Sequence, residues 1–321
     1  MRLIMFGTGP FAVPTFEALI QSPHEVVALF TRPIADSGKR RKTAENPTRD
    51  VAESAGLSVF DPMNVNDSES VEQLLKFEAD LFVVCDYGQI LSRDCLAASK
   101  LGGINLHGSL LPKYRGAAPI NWAIFQGDPV TGITIIHMTA KLDGGPCLIK
   151  AETEIGSQET AEQIEPRLAK LGVTPVLEAI DILENWDGNS PIGQIQDPAQ
   201  ATRAPRLKKS DGKIDWSRSA VEIVNQIRAF QPWPGTFTNW HNEKLKQPLR
   251  LIIHQATALP EPSDFGGKAP GSVLVSDGNA LFIQTGTGPI SIDTVQPAGK
   301  RPMPIGDFLR GRAPAIDDLF Q

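Results

Sequence analysis

Arg2 to Phe6 is an apolar run ending in Gly7-Thr8-Gly9-Pro10, after which Phe11, Val13, Phe16, Leu19 and Ile20 recur at helical spacing. This pattern predicts a strand, a tight turn and a helix. The runs Val26–Phe30, Leu81–Val84 and Gly103–Leu106 predict further buried strands, with helical stretches near 48–55 and 68–77 between them. Continuous β-branched runs alternating with helices indicate an α/β fold, a mostly parallel sheet covered on both faces. Two more strands are expected at Thr131–Met138 and Leu148–Ile155. A helical stretch then opens at Thr160, with Gln163 in the capping-box position, and carries Ile164, Leu168, Leu171, Val176, Ile180 and Leu183. Pro166 and Pro175 interrupt it and predict a kink or a break.

From 188 to 206 the chain turns polar and rich in Pro, Gly and Gln without any period, the pattern of a linker. It divides the sequence into domains at 1–187 and 207–321. In the second, Ala220–Phe230 predicts one helix, and short β-rich pieces follow at 236–240, 249–254, 272–275, 280–285 and 290–295. Strands so short and so spaced suggest a small barrel or sandwich.

Composition changes the picture only modestly. A chain of 321 residues fits two domains, and 41% hydrophobic residues with 28 Gly exclude a largely disordered protein. Cys85, Cys95 and Cys147 are odd in number and contain no C-x-x-C pair, which argues against a disulfide framework and a structural zinc site. A cytoplasmic protein is expected. The opening apolar run is too short for a signal-peptide core, and no stretch has the length of a membrane span. Net charge is −6, but residues 201–250 hold ten Lys/Arg against four Asp/Glu, which permits a local basic surface for a nucleic acid.

Several motifs carry candidate chemistry. Gly7-x-Gly9-x-x-Ala12 satisfies a dinucleotide-binding fingerprint of the Rossmann type, so an NAD(P) oxidoreductase is one reading. Against it, Phe30-Thr31-Arg32-Pro33 lacks the acidic residue that would hold a ribose, and Pro10 removes a backbone donor. Lys39-Arg40-Arg41-Lys42 lies in a connection longer than the usual run of about 2–6 residues. It is either a solvated charged loop or a clamp for a phosphate backbone. Asn105 and His107 stand two apart as a strand ends, so both side chains emerge on one side, at the strand end where open α/β sheets bind ligands. An amide donor beside an imidazole suits stabilising an oxyanion while moving a proton. A strand-end histidine satisfied by backbone is the bland alternative. Asp143, before Gly144 and Gly145, is either a turn residue or a third polar group converging on that pocket.

The run Asn105-x-His107-x-Ser109-Leu110-Leu111-Pro112, continued by Tyr114-Arg115-Gly116 and Ala118-Pro119 and later by Leu142-Asp143, closely resembles the folate-dependent formyltransferases. The resemblance extends along essentially the whole chain. Phe6 to Ala12, the Lys39–Lys42 insertion and Tyr87-Gly88-Gln89-Ile90-Leu91 point to the members that act on charged tRNA. So do Asp211 to Trp216, Arg228-Ala229-Phe230 with Pro232-Trp233-Pro234, and Gln296 to Lys300. Two positions depart from the family pattern: Asp86 stands where a small residue is usual, and Arg203 replaces the usual aromatic.

The resemblance implies a Rossmann-like catalytic domain followed by an OB-like barrel that binds tRNA. It implies formyl transfer from 10-formyltetrahydrofolate to the α-amino group of initiator methionyl-tRNA, for translation initiation, without a metal. The implied catalytic residues are Asn105, His107 and Asp143, and the implied folate contacts are Ser109, Leu110, Leu111, Pro112, Tyr87, Gly88 and Gln89. Lys39, Arg40, Arg41 and Lys42 would contact the tRNA, and a monomer is expected. A sugar-nucleotide N-formyltransferase, a dinucleotide oxidoreductase and a non-catalytic RNA-binding protein remain the competing readings.

Overall fold

The computed structural model describes residues 1–33, 46–242, 247–260 and 267–321; the Lys39–Lys42 run lies outside them. The chain divides into two compact units. The first comprises Met1–Pro119, Val130–Glu154 and Gln163–Pro205, and the second Ile120–Pro129, Ile155–Glu162 and Arg206–Gln321.

In order along the chain, the first half contains β1 (Arg2–Gly7), α1 (Val13–Gln21), β2 (Glu25–Phe30), α2 (Pro47–Ser54), β3 (Ser58–Phe60) and α3 (Ser68–Leu75). There follow β4 (Leu81–Cys85), α4 (Arg93–Leu96), β5 (Gly103–His107), α5 (Pro119–Phe125), β6 (Val130–His137), β7 (Cys147–Glu154), α6 (Ala161–Leu171) and α7 (Val173–Glu184). The sheet order is β3-β2-β1-β4-β5-β6-β7. Pairing is parallel from β3 through β5, and β6 and β7 then join antiparallel, so the sheet is mostly parallel, as the hydrophobic runs indicate. The expected interruption between residues 160 and 183 falls at Gly172, where a Cβ would meet the Leu106 side chain at 2.7 Å. The short edge strand β3 carries no run long enough to announce it.

Side chains alternate across the strands, so each face of the sheet has its own core. Ile4, Phe6, Ala28, Phe30, Phe82 and Val84 pack with Leu74 of α3 and with Cys95 and Leu96 of α4. The alternate residues Leu3, Met5, Leu29, Leu81 and Val83 are equally buried. Phe6 is the centre of an aromatic cluster, its ring centroid 5.3 Å from Phe30, 5.0 Å from Phe82 and 5.3 Å from Tyr87.

The second unit contains α8 (Ala220–Ala229), β8 (Thr236–His241), β9 (Leu249–Ala258), β10 (Val273–Asp277), β11 (Ala280–Gln284), β12 (Pro289–Pro297), β13 (Met303–Pro304), α9 (Ile305–Gly311) and β14 (Leu319–Phe320). Its strands run β10-β11-β12-β9-β8-β14 in antiparallel pairs, with β13 on β12. A bridge between Ser272 and Leu319 brings the two ends of that order together, giving a nearly closed small barrel. Trp216, Ile223, Ile227, Trp240, Ile253, Ile292 and Phe320 fill its interior. Ser219 and Glu222 form a reciprocal capping box that starts α8. At the other end of α8, Phe230 stacks on Phe125 at 5.1 Å, and Arg228 donates to the backbone carbonyls of Gly156 and Glu159 at 3.1 and 2.9 Å.

Among the described residues, no helix is long and apolar enough to cross a membrane. Replacing Phe6 with Ala is expected to cost about 3–5 kcal/mol, because the cavity is walled by rigid rings on neighbouring strands. Denaturant unfolding measures it, and a loss under about 1 kcal/mol would show that those rings close the gap instead.

Candidate active site at the carboxyl ends of β1, β4 and β5

Strand order reverses between β1 and β4, and the crevice beyond that point is where open α/β sheets take their ligands. Asn105 and His107 end β5, opposite Ile136 and Thr134 of β6, and project to the same face. His107 is buried. Its Nε2 lies 2.9 Å from the backbone carbonyl of Tyr114. A carbonyl can only accept, so Nε2 carries the hydrogen and Nδ1 is the nitrogen left for chemistry. Asp143, on the loop between β6 and β7, places Oδ2 3.8 Å from that Nδ1. The same oxygen accepts a hydrogen bond from the Gly116 backbone N–H at 2.8 Å. Thus the His107 imidazole faces the Asp143 carboxylate at the end of β5, and strand alternation puts Asn105 on the same side.

The loop after β5 is buried and irregular, so its backbone groups need partners. Thr134 serves both sides: its hydroxyl accepts from Leu111 N–H at 3.0 Å and donates to Ser109 C=O at 2.7 Å. Ser109 donates to Lys113 C=O at 2.7 Å, and Lys150 donates to Leu111 C=O at 2.6 Å. Ser109 and Leu111 are fully buried and shape the loop, whereas Leu110 and Pro112 are half-buried and offer apolar surface. Tyr87 turns its ring into the core beside Phe6, so only its backbone is available at the crevice. Gln89 commits its side-chain amide to Pro62 C=O and Val65 N–H at 3.1 and 3.0 Å. Gly88 adopts φ 83° and is crossed by the Arg32 side chain.

Sequence reasoning gave no role to Arg115, which it quoted only within a motif, and missed Thr134, Lys150, Gln196 and Thr202. Gln196 and Thr202 come from the segment expected to be a linker, which lies in the first unit. Gln196 is buried and hydrogen-bonds Arg115, Asp143 and Gly145, while Thr202 Oγ1 accepts from Tyr114 N–H at 2.8 Å. Nothing in a polar segment without periodicity marks them. Among the described residues, no group of three or more His, Cys, Asp or Glu is arranged to hold a metal.

Asp86 fills the space over the first turn. A Cβ on Gly9 would lie 1.9 Å from Asp86 Oδ2, so the close approach that the Gly7-x-Gly9 turn permits is used by this carboxylate. Its residue remains exposed overall, but the carboxyl is ringed by protein, and desolvation together with Glu165 raises it from 3.8 to about 6. Arg32 and the Gly9 N–H pull the other way without overcoming them. A carboxyl raised on folding favours the folded state while protonated. Its contribution is fully present below about 3.8 and is lost as pH rises through about 6. Asp86→Asn should therefore raise the melting temperature at pH 7.5 by about 2 °C after discounting for solvent screening, with the gain shrinking toward pH 4. Thermal melts across that range test it, and a gain independent of pH would contradict it.

The formyl transferase family profile matches residues 1–180, and the profile of the formyl transferase C-terminal domain matches residues 206–313. The chain is 44% identical over 318 residues to the methionyl-tRNA formyltransferase of Rhodopirellula baltica, covering 97% of this chain and 94% of that protein. It is 39% identical over 313 residues to the methionyl-tRNA formyltransferase of Alkaliphilus oremlandii, covering 98% and 97%. Among solved structures, an N-formyltransferase from Helicobacter canadensis, in complex with folinic acid and dTDP-3-aminofucose, superposes with a TM-score of 0.64 at 18% identity, covering 90% of this chain and 98% of that one. WlaRD, a sugar 3N-formyl transferase, gives a TM-score of 0.64 at 19% identity, covering 94% and 99%. With profile matches across both halves and relatives this similar over nearly their whole length, the chain belongs to the formyl transferase family.

Proposed function

We propose that this protein transfers a formyl group from 10-formyltetrahydrofolate to the α-amino group of initiator methionyl-tRNA, and so serves translation initiation. The observation that carries the reading is the convergence of Asn105, His107 and Asp143, with Asp143 Oδ2 3.8 Å from His107 Nδ1. The near full-length similarity to methionyl-tRNA formyltransferases favours this acceptor over an amino sugar.

Each residue has a defined task. As the neutral amine attacks the formyl carbon, Asn105 and the protonated imidazole of His107 donate hydrogen bonds to the oxygen that gains charge. Asp143 orients that imidazole and helps pass a proton to the departing folate nitrogen. The turn Tyr87-Gly88-Gln89 offers backbone groups suited to the polar edge of a pteridine, and Leu110 and Pro112 offer apolar walls. Ser109 and Leu111 hold that loop in shape from beneath. No step requires a metal. Residues 207–321 supply the barrel that binds the tRNA, and Lys39, Arg40, Arg41 and Lys42 hold phosphates. The protein acts as a cytoplasmic monomer.

The deciding assay combines purified protein, labelled 10-formyltetrahydrofolate and methionine-charged tRNA, scored for formylmethionine, with an amino-sugar nucleotide as the competing acceptor. Asn105→Ala should lower the single-turnover rate about a hundredfold to a thousandfold while leaving tRNA affinity nearly unchanged. Near-normal turnover by this variant would remove Asn105 from the oxyanion role.

Acceptor choice has its own test. Each phosphate contact on a single-stranded end adds about −0.7 to the slope of log affinity against log salt. Replacing Lys39, Arg40, Arg41 and Lys42 together with Ala should weaken tRNA binding and flatten that slope by roughly 2–3, with folate affinity unchanged as the control. An unchanged slope with normal formylation would return the run to a solvated loop.

A further inference from the structure

Gln196 uses the whole hydrogen-bonding capacity of its side-chain amide. Oε1 accepts from Arg115 Nε at 3.1 Å and from Arg115 Nη2 at 2.7 Å. Nε2 donates to the backbone carbonyls of Asp143 at 2.8 Å and Gly145 at 2.7 Å. A guanidinium can only donate and a carbonyl can only accept, so the partners fix which amide atom points where. The side chain is 6% exposed. No other neutral residue of this length supplies two acceptors and two donors in one plane.

The loop it grips has one turn bond of its own, from Gly144 N–H to Lys141 C=O at 3.1 Å. Asp143 sits at φ 47°, a left-handed conformation that an aspartate adopts at some cost. Gly145 packs so closely on His137 C=O that a Cβ would lie 1.8 Å from that oxygen. Arg115, the residue gripped from the other side, directly precedes Gly116, whose N–H holds Asp143 Oδ2. Arg115 is itself fixed by main-chain bonds, from its N–H to Thr202 C=O and from Ala204 N–H to its carbonyl. The Gln194 backbone N–H and C=O pair with Cys147 at the start of β7. One short segment thus joins both loops that carry His107's partners.

We propose that Gln196 is a positioning residue for formyl transfer, holding the Asp143 loop and the Arg115-Gly116 turn together so that the Asp143 carboxylate stays aimed at His107. The inference rests on the role given to Asp143 above. A misplacement of about 1 Å at such a site costs on the order of a hundredfold in rate. Gln196→Ala should therefore lower kcat about tenfold to a hundredfold, with KM for the formyl donor and for charged tRNA held within about threefold. Gln196→Glu keeps the acceptor facing Arg115 but cannot donate when ionised, and should show the same split; it decides the matter if the Ala variant does not fold.

The discriminating measurement is a double-mutant cycle with Asp143→Ala. If Gln196 acts through Asp143, its replacement in the Asp143→Ala background should cost less than about twofold. Loss that multiplies in full, a rise in KM in place of the fall in kcat, or unchanged kcat in folded single variants would overturn the proposal. Normal turnover by Asp143→Ala alone would instead remove the catalytic role of Asp143 on which the proposal depends.

Discussion

The site depends on a constraint of hydrogen-bond satisfaction. The loop 108–118 and the inner part of the loop 141–146 lie around His107 without the ladders of a helix or sheet, and buried backbone groups left unpaired are costly. Side chains from other elements meet the need: Thr134 from β6, Lys150 from β7, and Gln196 and Thr202 from the segment after α7. The consequence for chemistry is order. A strand end supplies Asn105 and His107 on a fixed ladder, and the loop between β6 and β7 sets Asp143 Oδ2 3.8 Å from His107 Nδ1.

Two carboxylates line the same edge of the sheet in different surroundings. Asp143 accepts a backbone hydrogen bond and faces the imidazole, whereas Asp86 lies over Gly9 with its carboxyl raised to about 6. The second also fills the close approach that a turn with the spacing of a dinucleotide site leaves open. The gap that glycine leaves is taken by the protein's own acid.

The central strands and the small barrel were legible because burial on a sheet face enforces apolar runs and alternation; an interruption was legible from the prolines, but Pro166 stays inside α6 and the break falls at Gly172. Asn105 and His107 were legible as a strand-end pair, since their spacing alone puts them on one side. Gln196 was not: its value lies in partners distant along the chain, and its own surroundings are polar and without period. Tyr87 shows the reverse limit. The motif located it at the crevice, but only packing reveals that its ring points into the core and its backbone alone faces outward. Short edge elements such as β3 and β14 are defined by their neighbours' ladders and leave too little sequence to read.

The second unit is not a continuous stretch of chain, because residues 120–129 and 155–162 belong to it along with 206–321. Phe125 lies flat on Phe230, and the carbonyls of Gly156 and Glu159 accept from Arg228. A fragment starting in the segment after α7 therefore encodes a second unit without the residues that Phe230 and Arg228 pack on. The second unit is consequently tied to sequence lying more than fifty residues upstream of its first strand, β8.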